Sequence, residues 1–239
     1  MKAIATLAGD NNSAVASTVY TLQASGSPTI NFAGGFTSNS GLLFNGSATW
    51  NQTSHRLTLT NGSTYQAGSV FYTTLVNVQA FTNDFTFQLT SPTADGITFT
   101  IQNNAPNALG TSGGNLGYAT IPKSVAVKFD LSNNSGEGPD STGEYTGGAV
   151  PTTPFTDMTS SGVNLHSGDV MSVHMTYNGT TLTMTITDNT IGKTFTTSWA
   201  VNIPTVVGAS TAYVGFTGGT GALTATQQIT TWSYTAGSQ

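Results

Sequence analysis

A chain of 239 residues with ten acidic and five basic side chains lacks the clustered lysine and arginine that a phosphate-binding surface needs, so nucleic acid is excluded as a partner. Only 6% of the residues are charged, yet the 37% that are hydrophobic supply enough apolar surface to offset the entropy of ordering the chain, which should therefore fold. The absence of cysteine excludes disulfides and thiolate sites, and it fits an exported bacterial protein as well as a cytosolic one.

One domain spanning residues 1–239 is expected, because all-β sandwiches of this length commonly fold around one core. The apolar run in the first ten residues is too short for a signal peptide or a membrane span, so no membrane insertion is expected. Abundant Thr, Ser, Asn and Gly with few Lys and Glu are typical of secreted and cell-surface β modules, and the composition predicts that location.

Alternating apolar and polar residues recur along the chain, and helical periodicity is nearly absent, which predicts an all-β fold. The clearest unit is residues 169–188, where alternation on both sides of Asn178-Gly179 predicts a β-hairpin, since this dipeptide tolerates positive φ. Short strands with turn-rich connections predict a two-sheet sandwich of jelly-roll layout. The other predicted strands, in chain order, are 56–60, 69–76, 81–90, 96–103, 124–131, 193–201, 212–218 and 227–235.

Two long polar loops, residues 102–117 and 133–154, follow strongly patterned strands, and we interpret them as functional loops. Asp130, at the end of the strand before the second loop, and Asn134 and Asp140, within that loop, offer hard oxygen ligands of the kind that Ca²⁺ prefers. A solvated turn in which Asp and Asn bond to their own backbone explains them equally well. Taken alone, Asp95-Gly96 is a turn signal, and the glycine-rich segment 111–118 does not match a phosphate-binding loop.

The order of these segments resembles that of the legume-type (L-type) lectins, of which a bacterial member is expected. The resemblance implies a concanavalin A-like sandwich of two antiparallel sheets that binds carbohydrate, without catalysis, at loops on its concave sheet. No single motif decides it; the collinear order does. The segments that carry the resemblance are INFAGGF, GLLFNGSATW, RLTLTN, AGSVFYTTLVNV, FTNDFTFQLTSPTADGITFTIQN and AYVGFTGGTGALTATQQITTWSY.

Motif by motif, the resemblance also implies which residues bind the sugar. Asp95 would accept hydrogen bonds from two adjacent hydroxyls, and the Ala94–Asp95 peptide would be cis. Gly114 matches a position whose backbone N–H donates to the sugar, and Asn134 an asparagine that binds both metal and sugar. Ala222 and Leu223 match the specificity loop.

The same resemblance implies one Ca²⁺ held by Asp130, the carbonyl of Ser132, Asn134 and Asp140, with Glu137 as an alternative to Asp140. Lys128 stands where the family has a glutamate that binds a second, transition metal, and residues 140–150 contain no histidine; loss of that metal site is expected. Two interpretations of Lys128 remain open: its ammonium pairs with Asp130 and Asp140, or it points to solvent from an edge strand. The three histidines, His55, His166 and His174, are interpreted as ordinary surface residues.

Two further expectations concern aromatic stacking on the sugar and the functions that compete with sugar binding. Ser132 replaces the family's usual aromatic platform, so stacking comes from Tyr145 or Tyr118 or is absent.

A glycoside hydrolase would need two carboxylates about 5–9 Å apart, and the strand VKFDLS supplies only Asp130. No enzyme is therefore expected. The remaining alternative is a structural or adhesive module with a decayed sugar site. The partners we expect are glycans or polysaccharides, with a homodimer or a multidomain parent as the setting.

Overall fold

The structure, a computed structural model, describes residues 30–237 and the backbone of two short strands, β1 (Lys2–Ala3) and β2 (Ala16–Ser17), which pair with each other. Among these residues no helix combines the length and the hydropathy needed to cross a membrane. The other elements are β3 (Ile30–Phe32), β4 (Leu42–Gly46), β5 (Thr49–Asn51), β6 (Arg56–Asn61), β7 (Ala67–Tyr72), β8 (Val76–Asn77), β9 (Phe81–Thr90), β10 (Gly96–Gln102), β11 (Ser124–Asp130), β12 (Ser141–Thr146), β13 (Thr156–Asp157), β14 (Val170–Tyr177), β15 (Thr181–Asp188), β16 (Thr194–Ala200), α1 (Ile203–Val207), β17 (Thr211–Gly219) and β18 (Thr226–Ala236), with 3₁₀ turns at Gly113–Asn115 and Thr159–Ser161.

Two antiparallel sheets make up the fold between residues 30 and 237. One, which we call the site sheet, has the order β13-β12-β11-β10-β17-β7-β4, with β8 also paired to β17. The other, the back sheet, has the order β16-β15-β14-β9-β18-β6-β5, with β3 paired to β18. The predicted all-β sandwich is confirmed, and the run predicted as one strand at 69–76 divides into β7 and β8.

Aromatic rings fill the space between the sheets. Phe85 packs edge-on against Phe216 from the other sheet, with ring centroids 5.0 Å apart, and Phe216 in turn packs against Trp232 at 5.0 Å. Trp232 is fully buried, and its indole N–H donates to Asn83 Oδ1 at 2.9 Å. This tryptophan therefore belongs to the core, as its position in a strand suggests.

The predicted hairpin is confirmed as β14 and β15, with Tyr177 opposite Leu182. The two central turn residues are Gly179 and Thr180, and of these Gly179 takes a positive φ of 100°. Asn178 contributes through its side chain, because Oδ1 accepts hydrogen bonds from the N–H groups of Thr180 and Thr181.

Both faces of the central strands of the site sheet are covered. Every residue of β10 and β11 is buried, although their sequences alternate. The apolar residues face the core, while Thr98 and Thr217, at 2.8 Å from each other, lie on the opposite face beneath the loop before β11. Thr217 also donates to the carbonyl of Leu116 in that loop, at 2.7 Å. The loops are thus anchored to the strands beneath them.

The outer face of the back sheet, in contrast to that of the site sheet, consists mainly of small polar side chains. Three transverse rows, which we call the hydroxyl rows, run across β18, β9, β14, β15 and β16, and all members except Asp84 and His174 carry a hydroxyl group. The rows are Thr231-Thr86-Ser172-Thr187-Thr194, Ser233-Asp84-His174-Thr185-Thr196 and Thr235-Thr82-Thr176-Thr183-Ser198.

Candidate functional site

Asp95 lies at the start of β10, directly after the Ala94–Asp95 peptide, which is cis. Its backbone ties together the two neighbouring segments, because its N–H donates to Gly219 at 3.2 Å and its carbonyl accepts from Leu131 at 2.7 Å. This end of β10 is therefore where the loop after β11 and the loop after β17 meet.

The carboxylate of Asp95 is only partly satisfied by the protein. Oδ1 accepts a hydrogen bond from the Ser132 hydroxyl at 3.2 Å, whereas Oδ2 is buried and accepts none within the part of the chain that the structure describes. Burial raises the pKa of Asp95, and the Ser132 hydroxyl and the Gly221 N–H oppose that rise. The Gly221 amide approaches the carboxylate without reaching hydrogen-bonding geometry at Oδ2. A buried acceptor without a donor is costly, so Oδ2 is a ready acceptor for a hydroxyl group.

Two glycine-rich segments close around this carboxylate. A Cβ placed on Gly221 would lie 3.1 Å from Asp95 Oδ2, and one on Gly113 would lie 4.0 Å from the same atom. A Cβ on Gly114 would lie 2.7 Å from Asn134 Nδ2, so the Gly114 backbone and the Asn134 amide are in contact. Only glycine allows such approaches.

The structure thus brings together Asp95, Gly114 and Asn134 from three loops, and places Ala222 and Leu223 directly after Gly221. Both of the latter residues are exposed, Leu223 to 60%. Gly113 and Gly221 were not singled out from the sequence, where their Gly-Gly and Thr-Gly contexts are ordinary turn signals.

Lys128 is fully buried on β11, an interior strand between β10 and β12, so the interpretation that it points to solvent is wrong. Its Nζ lies 3.0 Å from Asp130 Oδ2 and 3.5 Å from Glu137 Oε2, and both carboxyl side chains are also fully buried. The Tyr145 ring lies beneath the ammonium, 5.7 Å from Nζ to the centroid. The expected pairing with Asp130 is present, and Glu137 takes the place expected for Asp140.

Asp140 faces a different part of the molecule. Its Oδ1 accepts a hydrogen bond from the Leu165 N–H at 2.6 Å and lies 3.4 Å from His166 Nδ1. Asp140 and His166 line a separate cavity of about 520 Å³. The contact with His166 was missed because no local pattern links residues 26 positions apart.

The loop that follows β11 offers several oxygen atoms close to the buried lysine. Asp130 Oδ1 accepts from the Ser132 N–H at 2.9 Å, and Glu137 Oε1 accepts from the Asn134 N–H at 3.4 Å. Burial raises the pKa of Asp130 to about 7, against the opposing charge of Lys128. One lysine between two carboxylates leaves one uncompensated negative charge when both acids are ionised.

Within the described residues no three His, Cys, Asp or Glu side chains gather into a metal-binding group. Ca²⁺ also accepts amide and backbone carbonyl oxygens, and Glu137 Oε2, although 3.5 Å from Lys128 Nζ, accepts no hydrogen bond within the described residues, so Asp130, Ser132, Asn134 and Glu137 fit one Ca²⁺ ion. A transition metal does not fit between the two carboxylates, because the Lys128 ammonium stands there.

Neither tyrosine offers a platform for a sugar ring. Tyr118 and Tyr145 are both buried, at 0% and 3% exposure. The hydroxyl of Tyr145 donates to Pro154 at 2.6 Å, and that of Tyr118 donates to the Tyr145 carbonyl at 3.2 Å. Stacking on either ring is therefore excluded, and the site relies on polar contacts.

Comparison with known proteins assigns this sequence and this fold to one family. A sequence profile described as the legume lectin beta-barrel domain matches residues 29–233. The chain belongs to the legume lectin domain family. The lectin domain is 29% identical to favin from Vicia faba over 205 residues, which cover 76% of this chain and 84% of favin. It is 28% identical to a lectin from Lens culinaris subsp. orientalis over 208 residues, covering 76% and 74% of the two chains.

Among solved structures, a lectin from Bauhinia forficata in complex with GalNAc superposes with a TM-score of 0.75 at 25% identity, covering 88% of this chain and 98% of that one. The predicted legume-lectin jelly-roll sandwich of two antiparallel sheets is confirmed. These relatives are lectins rather than hydrolases, so the expectation of a binding domain without catalytic activity is also confirmed.

Proposed function

We propose that this lectin domain, formed by residues 1–239, binds glycans or polysaccharides reversibly at Asp95, Gly114, Asn134 and the loop of Ala222 and Leu223. The observation that carries the proposal is the buried Oδ2 of Asp95, which accepts no hydrogen bond from any residue that the structure describes and lies among two glycine segments and the Asn134 loop. A sugar hydroxyl donating to this oxygen forms a charge-assisted hydrogen bond, which is stronger than a neutral one.

Each group at the site has a separate task in binding. Asp95 accepts hydrogen bonds from hydroxyl groups, the Gly114 N–H and the Asn134 amide donate to sugar oxygens, and the absence of side chains at the glycines lets the ring approach the backbone. Leu223, being exposed, offers apolar contact to the rim of a sugar. Monosaccharide affinity should be weak, because each hydroxyl exchanges water for protein and no aromatic ring stacks on the sugar.

Useful affinity would then come from several sites acting together. A homodimer, or repeated modules in a larger parent protein at a cell surface or outside the cell, would present more than one site to a polymeric glycan. The alternative, a structural module with an inactive site, has the same fold and differs only in the outcome of a binding experiment.

One Ca²⁺ ion is part of the proposal. Asp130, the Ser132 carbonyl, Asn134 and Glu137 would hold it, with Glu137 replacing Asp140 because the Asp140 carboxylate bonds to Leu165 instead. When bound, the ion would supply positive charge that fixes the loop carrying Asn134 and Ser132. The protein's own contribution is the Ser132 hydroxyl, which orients the Asp95 carboxylate.

Isothermal titration calorimetry tests the proposal. Protein stripped with EDTA would be titrated with Ca²⁺ and then with mannose, glucose, galactose, GalNAc and a polysaccharide panel. We expect Ca²⁺ heat, followed by sugar heat that Asp95→Ala abolishes and that Asp84→Ala, which removes a half-exposed carboxylate from the back sheet, leaves unchanged. Calcium binding without a response to any glycan would favour the structural module, and no calcium binding would remove the metal from the site.

A further inference from the structure

We infer that the Lys128 ammonium, paired with Asp130 and Glu137, takes the place of the family's second metal ion. One lysine and at most one cation then organise the loop that carries Ser132 and Asn134, which the proposed function makes sugar-binding. The inference concerns the metal content and the stability of the loop, and it rests on the proposed function only where it calls the loop sugar-binding. Its evidence is what surrounds Nζ: the buried side chains of Asp130, Glu137 and Tyr145, and the two neighbouring strands β10 and β12.

The burial of these three charged groups is complete. Lys128, Asp130 and Glu137 are each 0% exposed. Buried charged side chains are rare unless they are paired, because removing an ion from water is costly and only close opposite charges compensate. With Nζ at 3.0 Å from Asp130 and 3.5 Å from Glu137, the ammonium is the partner of both carboxylates.

Within the described residues, the surroundings of Nζ leave no position for a second metal ion in addition to the proposed Ca²⁺. Lys128 lies opposite Thr98 on β10 and opposite Gly143 on β12, so strands flank it on both sides. Tyr145 closes the remaining side with its ring, which the hydrogen bond from its hydroxyl to Pro154 holds in place. A protonated lysine offers three donors and no lone pair, so it cannot act as a metal ligand itself.

The position of the ammonium links the strand to the loop. Asp130 is the last residue of β11, and Glu137 lies within the loop that carries Ser132 and Asn134. Through Glu137 the lysine draws this loop against β11, and through Ser132 the loop orients Asp95. Lys128 is thus a positioning residue, and a charge fixed to the chain cannot be removed by a chelator.

The test compares the wild type with Lys128→Glu, Lys128→Met and the matched control Lys193→Glu, which changes the same charge at an exposed position. Thermal unfolding would be recorded in EDTA, in Ca²⁺ and in Mn²⁺, and Mn²⁺ stoichiometry would be measured by calorimetry. In EDTA we expect both Lys128 variants to melt roughly 6–20 °C below the wild type, because two buried carboxylates lose their partner. The control should melt within about 2 °C of the wild type, as surface substitutions usually do.

Metal addition separates the two variants. Lys128→Glu places a third carboxylate beside Asp130 and Glu137, so Mn²⁺ should bind it with one added site per chain and restore much of its lost melting temperature. The wild type and Lys128→Met should gain no such site. The inference is overturned if the wild type binds Mn²⁺ in a site additional to that for Ca²⁺, or if Lys128→Met is as stable as the wild type in EDTA.

The design also separates this inference from the proposed function. Should Lys128→Glu fail to fold, Lys128→Met in EDTA and the Mn²⁺ titration of the wild type still decide the question. A wild type that follows the expected metal pattern but gives no heat with any glycan would contradict the proposed function alone. One that binds glycans and also takes up a second metal would contradict this inference alone.

Discussion

Gly114 is in direct contact with the side-chain amide of Asn134: a Cβ on Gly114 would lie 2.7 Å from Nδ2 and 3.3 Å from Cγ. The backbone at Gly114 does not have a positive φ, so alanine is sterically allowed there by its own conformation. The close packing of these two residues from different loops is therefore the reason that position 114 requires glycine.

Gly114→Ala should weaken glycan binding by about tenfold or more, because the added methyl group displaces the Asn134 amide and occupies the path of the sugar ring. Calorimetric titration with the best glycan of the panel measures the change. Gly34→Ala is the matched control, since a Cβ on Gly34 meets no atom within 4 Å. Equal affinity of Gly114→Ala and the wild type would place the sugar elsewhere.

Ser132→Ala should lower glycan affinity by about three- to tenfold, because Asp95 loses the hydroxyl that orients it and must be immobilised on binding, which costs about 0.5–1.5 kcal/mol for one side chain. The donor in question is the Ser132 hydroxyl, 3.2 Å from Asp95 Oδ1. Affinity and melting temperature would be measured together. A variant with unchanged affinity would show that the remaining contacts alone orient the carboxylate.

Glu144→Gln should stabilise the protein at pH 7.5 and leave it unchanged at pH 4. Burial raises the pKa of Glu144 to about 6, so the folded state binds this proton more tightly than the unfolded state does. The resulting stabilisation is present below the ordinary pKa and is lost as the pH rises through about 6. Allowing for solvent screening of a partly exposed group, the gain at pH 7.5 is about 1 kcal/mol, or roughly 2–4 °C in melting temperature.

Asp157→Asn should change the stability at neutral pH in the opposite direction to Glu144→Gln. Hydrogen bonds from the hydroxyl and the N–H of Thr159 lower the pKa of Asp157, so its stabilisation is present at neutral pH and lost on acidification through the lowered value. This variant should therefore melt below the wild type at pH 7.5. Parallel shifts of the two variants would contradict the assignment of charge states.

Asn83→Ala should destabilise the fold by about 2–4 kcal/mol, because it leaves the buried Trp232 indole N–H without an acceptor and opens a cavity. The hydrogen bond at risk is the one of 2.9 Å from Trp232 to Asn83 Oδ1. Urea unfolding measures the loss, with Thr82→Ala, one residue away on the outer face, as the control. A loss below about 0.5 kcal/mol would mean that the indole finds another acceptor.

The strands were predictable because alternation survives in nearly all of them. In β9, for example, the residues from Phe81 to Leu89 alternate between buried and partly or fully exposed. The covering of β10 and β11 on both faces could not be predicted, because it depends on where the loop before β11 folds back, which no local pattern encodes. Threonine is enriched in strands generally, so Thr98 does not by itself indicate whether its face of the strand is wet or covered.

Part of the candidate site was also predictable from the sequence, and part was not. Asp95, Gly114 and Asn134 were recognised because each lies in a short motif whose order along the chain is informative. Asp140 was predicted as the second partner of Lys128, whereas the structure places Glu137 there; both acids belong to one loop, and the sequence does not show which of them reaches β11. The hydrogen bond from the Leu165 N–H to Asp140, which joins distant segments, holds Asp140 away from Lys128.

The hydroxyl rows determine how water is held at the outer face of the back sheet. With only 6% of its residues charged, the chain cannot depend on ionised groups to hold water at its surface. Apart from Asp84 and His174, the rows carry serine and threonine hydroxyls, which do not titrate and do not attract counterions. The wetting of that face is therefore almost the same in acid and in base, and in fresh water and in brine, a property that a coat of lysines and glutamates does not provide.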